Sequence, residues 1–249
     1  MHAETIKLAQ LPFNISRVDP SWKPCIKKGL AGMDFAYLES LAASHDWLPG
    51  AENIFNAFSL PLNKVNYVLF GESPYPRKES ANGYAFWDAA VTELWSPQGL
   101  SKKVNRATSL RNIIKMLLIA DGKLNINDTS QVAIAKLDKH NLVKTNNDFF
   151  QNLLKKGFLL LNATLVLQNG PPQKDAKAWI PFMQQILHCL LDEHPNITLL
   201  LFGNIASKIN KLIENTPNPK LYAEHPYNIS FIKHEEVIDF FKPLHLLHK

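Results

Sequence analysis

Val65-Asn66-Tyr67-Val68-Leu69-Phe70-Gly71-Glu72-Ser73-Pro74-Tyr75-Pro76 is an apolar run that stops at a glycine and two prolines. The run has the length and continuity of a strand covered on both faces. Glycine and proline then fix the backbone that follows, so the next polar side chains are delivered to a set position. Residues 158–163 (FLLLNA) and 221–230 (LYAEHPYNIS) repeat the arrangement, each a buried-looking strand with a polar residue at its C-terminal end. Three such ends can converge on one pocket.

Working outward, candidate strands lie at 65–70, 158–162, 197–202 and 221–223. Segments expected to be helical lie between them, at 89–94, 110–120, 149–155, 179–193 and 206–214. Leu110, Ile113, Ile114, Leu117 and Leu118 recur at helical spacing, as do Ile180, Met183, Ile186, Leu187 and Leu190. The alternation predicts an α/β fold, a three-layer α/β/α sandwich with a central four-stranded, mainly parallel sheet. Residues 1–63 read as helical and irregular, with 34–44 as their best helix, and no linker separates them from the sheet. One domain over 1–249 is expected. Residues 121–128 (DGKLNIND) read as an exposed loop. Ligands of open α/β sheets bind outside the carboxyl ends of the strands. That rule nominates Glu72, Ser73 and Tyr75 after the first strand, Asn162 on the second, Gly203-Asn204 after the third and His225 after the fourth.

Composition narrows the classes. The 249 residues are 46% apolar, enough for a globular core. Cys25 and Cys189 are the only cysteines and form no C-x-x-C, which argues against a disulfide framework or a cysteine zinc site and for a reducing compartment. The start carries Glu4 and no apolar h-region, and no stretch approaches about 18 uninterrupted apolar residues. A cytoplasmic protein with no membrane segment is expected. The formal charge of +5 permits a polyanionic partner, although the basic residues are scattered.

Several chemistries fit poorly. A serine hydrolase would use Ser73, His225 and an acid such as Asp239, but Pro74 lacks the backbone N–H that an oxyanion hole takes from the residue after the nucleophile. Gly71 stands alone, without G-x-G-x-x-G, and residues 203–208 lack the Walker spacing, so no nucleotide cofactor is expected. His188 and His194, near Glu193, do not share a helix face, and no metal site is expected from them.

What remains is an aromatic, an amide, an imidazole and a rigid turn, the parts needed to recognise a flipped pyrimidine. Here the chain resembles the uracil-DNA glycosylases of the main bacterial and eukaryotic family, whose signatures are GQDPYH, a GLAFS-like segment, LLLN and HPSPLS. The corresponding stretches are Gly71-Glu72-Ser73-Pro74-Tyr75-Pro76, Gly83-Tyr84-Ala85-Phe86-Trp87, Leu159-Leu160-Leu161-Asn162 and His225-Pro226-Tyr227-Asn228-Ile229-Ser230. The likeness runs in order from Ser21-Trp22 through Ile54-Phe55-Asn56-Ala57-Phe58, Ser109-Leu110-Arg111-Asn112, Trp179 and Phe182 to Phe231.

The resemblance implies roles. Phe86 would stack on the extruded uracil, Asn162 would read its N3–H and O4, and Tyr75 would exclude a methyl group at C5. His225 would hydrogen-bond O2 as charge develops on the leaving base. Ile229 would wedge into the duplex, and Ser109, Ser230 and the Pro171-Pro172-Gln173 loop would contact phosphates. It also implies DNA as partner, single- or double-stranded, a monomer, and no metal or cofactor. The pattern breaks where the family has its catalytic aspartate, which is Ser73 here; Glu72 replaces the glutamine, Pro76 the histidine and Tyr227-Asn228 a Ser-Pro pair. Ser73 and Glu72 therefore stand as candidate catalytic residues beside His225. The expected activity is base excision below the rate of an aspartate-bearing relative. The alternatives are a silent module that binds uracil or bent DNA, and a glycosylase for another damaged base.

Overall fold

Polar punctuation and apolar runs resolve into layered elements in the computed structural model, which describes residues 13–44, 46–192, 194–213 and 216–249. In chain order the main ones are α1 (Lys23–Ala31), α2 (Phe35–Ala43), β1 (Tyr67–Gly71), α3 (Thr108–Ala120), α4 (Asn146–Lys155), β2 (Phe158–Asn162), α5 (Pro172–Ala178), α6 (Ile180–Leu191), β3 (Thr198–Phe202), α7 (Ile205–Asn210), β4 (Lys220–Ala223) and α8 (Glu235–Phe241). The four strands form one sheet in the order β2-β1-β3-β4, and every pairing is parallel.

Because side chains alternate across a strand, each apolar run feeds two cores. Val68, Phe70, Leu159, Leu161, Leu199 and Leu201 face α1, α2 and α6. Leu69, Leu160, Leu200 and Phe202 face α3, α4, α8 and the C-terminal segment. This is the three-layer α/β/α arrangement expected from the sequence. Close helix packing matters on the first face, where a Cβ on Gly29 would lie 2.7 Å from the Phe182 ring. No helix among the described residues is long and apolar enough to cross a membrane.

Three local readings are corrected. Residues 89–94 are not helical: the Asp88 carboxylate accepts the Ala90 N–H at 2.9 Å, Glu93 bridges Thr145, and Leu94 N–H donates to Lys144 O, so side-chain and long-range partners take the backbone groups a helix would use. The helix expected at 206–214 ends at Asn210, and Glu214 lies outside the described residues. The loop at 121–128 is not simply exposed, because Leu124 is buried and the Asp121 side chain is only 4% accessible.

Candidate active site

The chain runs from β1 to β2 on one side and later crosses to β3 on the other, so the sheet has its topological switch point between β1 and β3. Crevices form outside the carboxyl ends of strands at such points. Glycines at both ends let neighbours close in. Gly71 is in register with Asn162, and a Cβ there would lie 2.3 Å from Asn162 Oδ1 and 2.9 Å from Ala85 Cβ. Gly203 has φ +78°, and a Cβ on it would fall 2.7 Å from His225 Cβ. The Asn162 amide thus lies over the end of β1 and His225 over the end of the adjacent β3, and neither strand end carries a side chain to block them.

Phe86 reaches the same crevice on a stapled loop. Gly83, at φ +86°, packs so tightly that a Cβ would overlap Asn53 O at 1.9 Å. Asn56 Nδ2 donates to Asn53 Oδ1 (3.0 Å) and Asn82 O (2.9 Å), fixing the loop's start. Ala85 N–H donates to Leu160 O at 3.1 Å, and Arg77 pairs with buried Asp88 at 3.1 Å. Phe86 itself has φ +62°, an unfavourable value for a residue with a side chain. The Tyr75 hydroxyl donates to Phe86 O at 3.2 Å, and burial, then the Asp88 charge, push its pKa up, so it stays a protonated donor. The Phe86 ring lies 5.9 Å from the His225 ring, inclined by 29°.

Asn162 is 3% exposed, and its side-chain amide makes no hydrogen bond with the described residues. Buried amides ordinarily find partners, so this one faces the crevice with donor and acceptor both unspent. His225 Nδ1 accepts the Tyr227 N–H at 3.0 Å, so the neutral ring carries its proton on Nε2. Burial lowers the His225 pKa from the ordinary 6.5, while the Glu72 charge pulls the other way. The result is a neutral imidazole with a fixed N–H donor.

The loop bearing His225 is held by a residue to which sequence reasoning gave no role. Asn112, fully buried in α3, donates from Nδ2 to Pro226 O at 2.8 Å and lies 3.3 Å from Asn228 O. A polar residue on an otherwise apolar helix face was the available signal. Beyond the clamp, Tyr227 (66%) and Ile229 (60%) stand out into solvent. Ser230 is exposed, and its hydroxyl bonds the Glu224 carboxylate. Burial raises the Glu224 pKa, but Ser230, a backbone N–H and His234 outweigh it and leave the group below the ordinary range.

Glu72 and Ser73 are held more loosely. The Glu72 carboxylate is half-exposed and 3.6 Å from Lys208 Nζ of α7, and Ser73 is half-buried without a hydrogen bond to the described residues. Ser109 is half-buried in the first turn of α3. Pro171, Pro172 and Gln173 are exposed at the start of α5. Their loop is anchored by Asp175, also missed from sequence. This buried carboxylate accepts from Tyr37 Oη (2.8 Å), Gln168 N (2.9 Å) and Gln168 Nε2 (2.7 Å). An open groove of about 780 Å³ separates this loop from residues 46–53 and Pro76.

The rejected chemistries fare no better in three dimensions. Asp239 is exposed on α8 and His225 Nδ1 is occupied by a backbone N–H, so no orienting acid completes a Ser73 triad among the described residues. His188 pairs with Asp192 at 3.3 Å, His194 lies beyond α6, and Glu193 is outside the described residues.

Comparison with known proteins accords with this geometry. A family model described as the uracil DNA glycosylase superfamily matches residues 59–247. The uracil-DNA glycosylase of Amoebophilus asiaticus is 29% identical over 218 residues, covering 84% of each chain. That of Coxiella burnetii is 31% identical over 184 residues, 73% of this chain and 67% of its own. The wild-type UNG crystal structure from Nitratifractor salsuginis matches with a TM-score of 0.89 and 42% identity over 100% of this chain and 98% of that one. A mimivirus UNG Y322F variant in complex with UGI shares the fold at 17% identity and a TM-score of 0.59, over 88% and 74% of the two chains. The family model spans more than half of the chain and the whole fold superposes on a UNG structure, and the chain belongs to the uracil DNA glycosylase superfamily.

Proposed function

We propose that the protein hydrolyses the N-glycosidic bond of a uracil flipped out of DNA, releasing free uracil and leaving an abasic site. The observation that carries this reading is the Asn162 amide, without a hydrogen bond among the described residues, over the end of β1, beside a neutral His225 over the end of β3 whose ring lies 5.9 Å from Phe86. An extruded base loses its stacking neighbours, and Phe86 supplies an aromatic face in their stead. Asn162 can accept from uracil N3–H and donate to O4, whereas cytosine presents the opposite pair. Tyr75, fixed by its bond to Phe86 O, fills the space beside C5 and excludes thymine.

In the chemical step the C1′–N1 bond breaks with its electron pair going to the base. Negative charge collects on O2, where the His225 Nε2–H donates. A pre-aligned donor of this kind stabilises the transition state more than the ground state and typically contributes about 10²–10³-fold in rate. Water then attacks C1′ of the cationic sugar, and the proton it releases passes through solvent to the departed uracil anion, giving free uracil and the abasic sugar. Ser73 orients that water through its hydroxyl but carries no charge and is no practical base near neutral pH. Glu72 supplies negative charge beside the site, partly neutralised by Lys208. Excision therefore rests on leaving-group stabilisation and runs more slowly than with an aspartate at position 73.

DNA lies along the groove between residues 46–53, Pro76 and the Pro171-Pro172-Gln173 loop. Ile229 enters the space left by the flipped nucleotide, and Ser109, Ser230 and backbone N–H groups of the loop contact phosphates. The protein acts as a single-domain monomer on single- or double-stranded DNA, without a catalytic metal or cofactor. The low cysteine content, Cys25 and Cys189 without a C-x-x-C, suits the cytoplasm.

The test is excess protein with a single-stranded oligonucleotide containing one uracil, followed by alkaline cleavage of abasic sites. Strand scission that disappears in Asn162→Ala supports the reading. Tight uracil-dependent retention without scission overturns it in favour of the silent binding module, which the absence of an aspartate at position 73 makes the second reading.

A further inference from the structure

At the end of α3 away from the crevice, Asp121, His245 and His248 converge although 124 residues separate the first two. We propose that they form a binding site for a zinc-class divalent cation, which ties the C-terminal segment to α3. One donor atom from each residue lies within 4.8 Å of the others. Asp121 Oδ1 is 3.0 Å from His245 Nδ1, and Asp121 Oδ2 is 3.5 Å from His248 Nε2. Tetrahedral zinc, with bonds of about 2.0–2.1 Å, sets its donors about 3.3 Å apart. The two observed separations, one to each oxygen of the carboxylate, bracket that value.

Two observations point to a ligand beyond proximity. Asp121 Oδ2 and His248 Nε2 are both buried, face each other and make no hydrogen bond among the described residues. A sealed carboxylate oxygen opposite an imidazole nitrogen, neither satisfied, is the state a shared cation would relieve. Secondly, Asp121 is the C-cap of α3, where the helix dipole is negative and a buried carboxylate is electrostatically opposed. A cation reverses the sign of that interaction.

The backbone is built to hold the donors there. His245 has φ +48°, and the turn is closed by His248 N–H donating to His245 O at 3.0 Å. Asn152 Nδ2 donates to Leu246 O (3.0 Å) and His248 O (2.7 Å), and Val143 N–H donates to Leu247 O (2.8 Å). The two rings are 5.2 Å apart. Imidazole and carboxylate donors suit zinc, and three protein ligands leave one position for water. Along α3 the nine residues from Asn112 to Asp121 put this cluster about 14 Å from the clamp, away from the crevice, so it takes no part in base excision.

The experiment uses the full chain, stripped with a chelator and titrated with zinc chloride by calorimetry and thermal melting. Expected are saturable binding near one ion per chain and a rise in Tm of several degrees, both lost in His245→Gly and Asp121→Asn. Glycine suits the positive φ, so the first variant removes a ligand without straining the turn. His188→Ala, a histidine outside the cluster, is expected to bind zinc as the parent does. Absence of saturable binding, or binding that survives His245→Gly, overturns the proposal. So does a pair of histidine–carboxylate ion pairs alone, seen as a Tm that responds to acidification but not to zinc. Uracil release is measured on the same samples and is expected unchanged in His245→Gly, so this proposal and that of the excision activity fail separately.

Discussion

The side of the crevice that would read the base is clamped by residues distant in sequence, whereas the edge that would handle water is held by one long, half-exposed ion pair. Phe86 is fixed through Gly83, Asn56, Ala85 and Tyr75, and His225 through Gly203, Tyr227 and Asn112. Glu72 has Lys208 at 3.6 Å, and Ser73 has no hydrogen-bonding partner among the described residues. Exposed pairs of this sort contribute about 0–1 kcal/mol, while buried hydrogen bonds of the first kind are costly to leave unmade. The difference teaches that positional precision is concentrated on the leaving group, where charge would develop, and that the missing aspartate falls in the less constrained half.

The comparison breaks first at His225. His225→Gln should lower kcat for uracil release by about 10²–10³-fold with little change in KM, because a donor aligned to the developing charge is lost. Single-turnover kinetics measure it, and a loss below tenfold would mean that precision on this side is not catalytic. Next comes the clamp. Asn112→Ala should cost about 1–3 kcal/mol of stability, read as a lower denaturant midpoint, since Pro226 O is left buried without its donor. Its kcat should fall too as the His225 loop loosens; an unchanged midpoint would show the loop to be held by other contacts.

The looser edge offers the opposite sign. Ser73→Asp should raise kcat about tenfold by adding charge near the cationic sugar, and an unaltered rate would remove the account of why excision is slow. The smallest effect concerns pH. His225 has a folded pKa below 6.5, so between the two values the unfolded chain binds more protons and acidification reduces stability. The neutral donor also persists below pH 6.5, and activity is lost only as pH falls through the lowered value. Since Glu72 pulls this pKa upward, Glu72→Gln should move the acid limb of the pH–rate profile to lower pH by a fraction of a unit. A shift to higher pH would place Glu72 elsewhere in the mechanism.

Much of the fold was legible because burial on both faces leaves unbroken apolar runs, which is why β1, β2 and β3 were found within a residue or two. The helix expected at 89–94 was not, since Asp88 and Lys144 capture its backbone groups through contacts that no local window contains. The candidate site divides in the same way. Tyr75, Phe86, Asn162 and His225 stood at strand ends or in recognisable motifs. Asn112 and Asp175 were passed over because one polar residue in a helix has no local signature of what its amide or carboxylate will hold. The Asp121, His245 and His248 cluster was invisible for the plainest reason, a chain separation of 124 residues.

The amino-acid order by itself determined the strands, the glycine and proline punctuation after them, and the identity of the polar residues delivered there, because periodicity and backbone restriction act over a few neighbouring residues. Only the tertiary structure decided which of those residues face one another, that the His225 proton sits on Nε2, that Glu72 leans on Lys208, and that the C-terminal histidines meet Asp121. Those outcomes depend on parallel pairing, buried hydrogen bonds and desolvation between segments far apart in the chain, and such terms exist only once the layers have packed.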